Sequence, residues 1–150
     1  MTEVEFHTGV TDRAAFACRL LRKAYRQGVR VLVTAPDDVL TELDRLLWTF
    51  DERDFVPHVR LPGAAAPVAA RTPIWLAPDA LQAGAAGAPA LVLNLGAAAP
   101  PDLSAVERLI EVVSSDPDEA ERGRGRWKTY KAAGLEIRHH GSASDAIGRN

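Results

Sequence analysis

Gly28-Val-Arg-Val-Leu-Val-Thr34 is the stretch that decides the fold. Gly28 closes the segment before it, as an αL residue at a helix C′ position would. Arg30-Val-Leu-Val-Thr34 is then a β-branched apolar run suited to an interior parallel strand. Upstream, Thr11 is placed to cap a helix from about Asp12 to Gln27. In it Ala17, Leu20, Leu21, Ala24 and Tyr25 recur at i, i+3, i+4, i+7 and i+8 as one buried stripe. Arg19, Arg22, Lys23 and Arg26 fall off that stripe. Ahead of the helix, Val4-Glu-Phe-His-Thr8 alternates apolar and polar side chains, a short strand signal.

The alternation continues downstream. Pro36-Asp-Asp38 opens a helix from about Asp38 to Trp48, with Val39, Leu40, Leu43, Leu46 and Leu47 on its buried side. Pro57 to Pro73 reads as a loop, and Pro73-Ile-Trp-Leu-Ala77 as a brief strand. Ala90-Leu-Val-Leu-Asn-Leu95 is the best buried strand of the set. Leu103 to Leu109 reads as a short helix and Ile110-Glu-Val-Val113 as a further strand. A polar helix from about Asp116 to Ala133 stops at Gly134, and Leu135-Glu-Ile-Arg-His139 alternates as an edge strand. Residues 1–140 thus form one domain and 141–150 a frayed tail. Three alanine-rich pieces, Gly63–Pro67, Gly84–Gly87 and Gly96–Pro101, read as loops. Strands alternating with helices imply a single three-layer α/β/α domain on a mostly parallel sheet.

Composition narrows the function classes. The 150 residues carry 18 basic and 20 acidic side chains, a net of −2, which argues against coating nucleic acid through bulk positive charge. The single Cys18 excludes an intrachain disulfide and a cysteine-rich metal cluster. The start lacks a basic region followed by an apolar run, and no stretch reaches the length of a membrane span. The expectation is a soluble, cytoplasmic protein.

A parallel α/β sheet makes an enzyme the first suspicion, and the residues do not support it. Neither GxGxxG nor GxxxxGK[ST] occurs, so the fold is Rossmann-like without a nucleotide site. His7, His58, His139 and His140 lie outside HExxH or CxxC contexts, and His139-His140 reads as a solvated edge strand, with weak metal binding the lesser alternative. Cys18 sits among apolar neighbours as a core thiol. Asp37-Asp38 and Asp51-Glu52 read as caps or turn formers at helix ends. No catalytic group, metal or cofactor is expected.

Two surface signals remain. Leu47-Trp48-Thr-Phe50, followed by Phe55-Val-Pro-His58, gathers aromatics at a helix end and a stiff loop. They either plug the core or form an apolar patch rimmed by Asp51, Glu52, Arg53 and Asp54, as at a protein interface. The second signal is Glu121-Arg-Gly-Arg-Gly-Arg-Trp-Lys-Thr-Tyr-Lys131, which crowds Arg122, Arg124, Arg126, Lys128 and Lys131 together. On a helix, Arg124, Trp127, Lys128 and Lys131 share one face of cations and an indole. That face suits an acidic peptide, whose few carboxylates it can meet. The alternative is a direct single-stranded nucleic-acid-binding module using the Arg/Trp helix. A degenerate α/β nucleotide enzyme ranks well behind both.

Val4-Glu-Phe, Gly28-Val-Arg-Val-Leu-Val, Leu43-Asp-Arg-Leu-Leu-Trp48, Asp54-Phe-Val-Pro-His58 and Trp127-Lys-Thr-Tyr-Lys-Ala-Ala-Gly134 occur in this order. Together they resemble the chi subunit family of bacterial DNA polymerase III holoenzyme. The resemblance spans most of the chain outside the alanine-rich middle and the tail. It implies a noncatalytic accessory subunit of the clamp-loader assembly, acting in DNA replication. Such a subunit links the psi subunit to the single-stranded DNA-binding protein, SSB, by gripping SSB's acidic C-terminal tail. Carried over by position, Val113, Arg124, Trp127, Lys128 and Gly134 would bind that tail. Trp48, Phe55, Val56 and Pro57 would meet psi, or a helicase sharing its surface. Two departures stand out: Trp127 replaces a familiar tyrosine, and Ala120 occupies a position that can hold a tail-contacting lysine. Arg122 or Lys128 would then have to substitute.

Overall fold

The computed structural model describes residues 2–49, 55–80, 89–103 and 106–141. Among the described residues, seven strands run as β1 (Glu3–Val10), β2 (Val31–Thr34), β3 (His58–Arg60), β4 (Ile74–Ala77), β5 (Leu91–Asn94), β6 (Arg108–Ser114) and β7 (Ile137–His140). The helices are α1 (Arg13–Arg26), α2 (Asp37–Thr49), α3 (Ala66–Arg71) and α4 (Pro117–Ala132). The strands form one sheet in the order β3-β4-β2-β5-β6-β1-β7, and every pairing is parallel. β2, β4 and β5 are buried on both faces, as expected of interior parallel strands.

Two cores flank the sheet. On one face α1 and α2 cover Val31, Val33, Ile74, Leu91, Leu93 and Ile110. On the other, Phe6, Leu32, Trp75, Leu109 and Val113 pack with Tyr130 and Trp127 of α4 and Ala69 of α3. The helix ends follow their chemistry. Gly28 (φ +72°) and Gly134 (φ +82°) take the left-handed backbone that terminates α1 and α4.

Some elements differ from the sequence reading. Asp12, not Thr11, caps α1: its extended backbone lets Oδ1 accept from Ala15 N at 3.0 Å. The first strand runs on to Val10, with a register shift after His7. Tyr25, placed on the buried stripe, is 38% exposed, and Ala14 and Cys18 take up burial instead. The span Pro57–Pro73 is no plain loop, because it holds β3 and α3. β3 has three residues and α3 six, too short for periodicity to register. The helix expected over Leu103–Leu109 is absent among its described residues. Arg108 and Leu109 instead begin β6, pairing with Glu3 and Val4 of β1. Gly84–Gly87, the rim residues Asp51–Asp54, Phe50 and the tail from 142 lie outside the described residues.

Candidate functional site

In a sheet of this topology ligands commonly sit where neighbouring strands send their helices to opposite faces. Here that place lies at the carboxyl ends of β1 and β6, which lead into α1 and α4. Side chains of the protein fill it. Arg13 Nη1 donates to the Leu95 carbonyl at 2.7 Å and pairs with Glu119 Oε2 at 3.1 Å, tying α1 to α4. Glu119 also pairs with Arg122. Each helix N-terminus is capped internally, by Asp12 in α1 and by Asp116 Oδ2 accepting from Glu119 N in α4. One first-turn amide at each of these helix starts is therefore already engaged by the cap side chain.

The open cleft lies beside this point, between α4, the end of β1 and β7. It is a cavity of roughly 480 Å³ lined in part by Phe6, Val113, Gly123, Arg124, Trp127, Lys128 and His139. Val113 is almost wholly buried at its base. The helix lies close above because Gly123 has no side chain: a Cβ there would stand 2.9 Å from Val113 Cγ2. Trp127 forms a wall, its ring edge-on to Phe6 at 4.9 Å and to His139 at 5.6 Å. His139 is held in turn by Thr8 Oγ1, 2.7 Å from its Nε2. Arg124 and Lys128 are exposed at the mouth, and no carboxylate among the described residues pairs with either. The chemistry offered is two free cations above an apolar floor with an aromatic wall.

A buried polar cluster positions α4. Glu111 of β6 is wholly buried; its Oε1 accepts from Arg126 Nε at 2.9 Å. Its Oε2 accepts from Tyr130 Oη at 2.5 Å and Asn94 Nδ2 at 3.0 Å. Burial pushes the Glu111 carboxyl above its usual range, opposed by the Arg126 charge. Burial and the neighbouring Glu111 push the Tyr130 phenol up, so it stays a donor. Asn94 meanwhile accepts from Gly96 N and Ala97 N, shaping the turn after β5.

Of the residues singled out in the sequence, Val113, Arg124, Trp127 and Lys128 line one cleft. Gly134 does not; it sits at the end of α4 as the C′ residue. Arg122 is taken up by Glu119 and does not line the cleft, whereas Lys128 does. Arg126, counted with the surface cations, is buried against Glu111. The sequence carried a signal for it: Glu111 stands inside an apolar strand and requires a cation.

The aromatic segment forms a second feature. Trp48 and Phe55 are 61% and 50% exposed and stack at 4.9 Å. They do not plug the core. Val56 is buried beneath them and Pro57 is half-buried. His58 supports the platform from below. Its Nδ1 lies 2.7 Å from the Val56 carbonyl, its Nε2 3.0 Å from Asp44 Oδ1, and its ring against Trp48 at 5.3 Å. Cys18 is core, its thiol pushed up to about 11 by burial.

Sheet, plugged crevice and cationic cleft define a three-layer α/β protein with an open cleft beside the strand ends. Comparison with known proteins supplies the particular class. The family model described as DNA polymerase III chi subunit, HolC, matches residues 1–138, and the chain belongs to that family. Chi is an accessory rather than a catalytic subunit of the polymerase, serving DNA replication. The chain is 30% identical over 149 residues to DNA polymerase III subunit chi of Pseudomonas aeruginosa, covering 93% of this chain and 96% of the relative. It is also 30% identical over 125 residues to subunit chi of Haemophilus influenzae, covering 81% of each. Among solved structures it resembles the C-terminal domain of S. cerevisiae Dbp5, in a structure with Gle1 and IP6. The TM-score is 0.60 with 12% identity, over 98% of this chain and 97% of that one, a likeness of fold alone.

Proposed function

We propose that this chi subunit links the clamp-loader side of the polymerase, through psi or a helicase using the same surface, to SSB by gripping SSB's acidic C-terminal tail. The observation that carries the reading is the α4 cleft, where unpaired Arg124 and Lys128 overlook an apolar floor containing Val113 and walled by Trp127. An acidic segment ending in an apolar residue with a free carboxylate matches that order of groups. Its carboxylates meet the two cations while its last side chain enters the floor. Lys128 serves in place of the lysine that Ala120 lacks. The Trp48–Phe55 platform, bordered by half-buried Pro57, is the matching surface for psi. Val56, expected to meet psi as well, is buried in the core and can only support the platform from beneath. His58 beneath it belongs to β3, at the opposite edge of the sheet from β7. Six inter-strand spacings separate those edges, roughly 29 Å, so the two surfaces can be occupied together. Work at the replication fork makes the compartment cytoplasmic.

Calorimetric titration with an SSB tail peptide tests the reading. The wild type is expected to bind with a Kd near micromolar, about −8 kcal/mol, more weakly as salt is raised. Arg124→Glu, on an exposed helix position, abolishes binding and leaves the unfolding midpoint unchanged. Unaltered affinity in that variant overturns the assignment of the cleft.

A further inference from the structure

The opposite side of β1 and β7 carries a cluster that the α4 cleft does not use. Side chains alternate along a strand, so Glu5 and His7 project together from β1, away from Phe6 and the cleft. β7 pairs in register beside it, with His7 opposite His140 and Glu5 opposite Arg138. The sheet therefore gathers one carboxylate and two imidazoles from the two ends of the chain. Potential ligand atoms of Glu5, His7 and His140 all lie within 4.8 Å of one another. His7 Nε2 faces Glu5 Oε2 at 3.2 Å, and the other carboxylate oxygen, Oε1, accepts from Arg108 Nη2 at 3.2 Å.

We propose that Glu5, His7 and His140 form a binding site for a borderline transition-metal dication such as Zn²⁺, fastening edge strand β7 to β1. Two imidazoles and a carboxylate suit Zn²⁺ and its first-row neighbours, whereas Mg²⁺ favours oxygen ligands. Bonds of roughly 2.0–2.1 Å put tetrahedral ligand atoms about 3.3 Å apart, the separation that already holds between His7 and Glu5. An ion replaces the proton shared there. Arg108 remains on the second oxygen as the outer partner that orients a metal-bound carboxylate. The rings of His7 and His140 are stacked at 4.5 Å and 9°. Parallel rings cannot aim at one ion, so binding turns the exposed His140 to another rotamer, an easy move at a sheet edge. That turn and the nearby positive charges of Arg108 and Arg138 keep the affinity moderate.

Titration of zinc chloride into the full chain, read by calorimetry, tests the site. The expectation is one Zn²⁺ per chain with a Kd on the order of 10 µM, unaffected by millimolar Mg²⁺. His140→Ala and the near-isosteric Glu5→Gln each weaken binding about ten-fold or more. His139→Ala, which alters the adjacent histidine on the other face, leaves zinc affinity unchanged. Zinc binding that survives both His140→Ala and Glu5→Gln, or that is lost with His139→Ala, overturns the proposal. So does the absence of saturable zinc binding by the wild type.

Discussion

The α4 cleft and the Trp48–Phe55 platform are both rich in side chains that favour interfaces, yet they are built in opposite ways. The cleft is concave and stands on a buried polar cluster, in which Glu111 receives Arg126, Tyr130 and Asn94 while Gly123 lets the helix settle onto Val113. Its cations are the exposed part. At the platform the apolar groups are exposed, and His58 with Asp44 lies underneath. The cleft is formed by the core itself, so damage to its foundation reaches the whole fold. The platform is an addition at the end of α2, and its outer rings can be removed at little structural cost.

The sharpest way to break this contrast is at the foundation of the cleft. Arg126→Met leaves the Glu111 charge buried without its cation, and breaking such a pair costs about 3–5 kcal/mol. Denaturant unfolding should register that loss, and peptide binding should fall with it. An unchanged midpoint would mean that α4 is positioned by apolar packing alone.

Substitution at two neighbouring glycines gives a smaller, two-signed effect. Alanine favours a helix over glycine by about 1 kcal/mol. At Gly125, where a Cβ meets nothing within 4 Å, Gly125→Ala should stabilise the protein. At Gly123 the added methyl meets Val113, and the overpacking cost of about 1–3 kcal/mol outweighs the propensity gain. Thermal unfolding of the two variants should shift in opposite directions. Equal shifts would refute the close approach of α4 to β6. The smallest effect belongs to the platform: Trp48→Ala should lower stability by roughly 1 kcal/mol or less, the loss of its stacking on Phe55. It should also leave tail-peptide affinity intact, since the two surfaces lie at opposite sheet edges.

Much of this was legible in the chain. Buried runs such as Arg30–Thr34 and Ala90–Leu95, and helix ends marked by Gly28 and Gly134, gave the parallel α/β/α architecture through local signals. Arg124, Trp127 and Lys128 could be gathered because they share one helix face, whereas Val113, on β6, joined them only through the resemblance to the chi family. What escaped depends on distant partners or very short elements. Arg126 has the chemistry of a surface residue, and only its pairing with a strand glutamate turns it inward. β3 and α3 are too brief for a period to emerge, and residues 108–109 extend because β1 offers them a neighbour. Glu5, His7 and His140 meet only through the pairing of the first strand with the last.

Whether the α4 cleft reads a protein tail or a nucleic acid is decided by setting two ligands against one protein: a labelled SSB tail peptide and a labelled single-stranded oligonucleotide, each titrated under identical salt conditions. If the cleft takes the tail, the peptide binds saturably at micromolar concentration and loses that binding when its terminal carboxylate is amidated, while the oligonucleotide binds far more weakly. Tight oligonucleotide binding with no response to the peptide would contradict tail binding and make the Arg/Trp helix a nucleic-acid site.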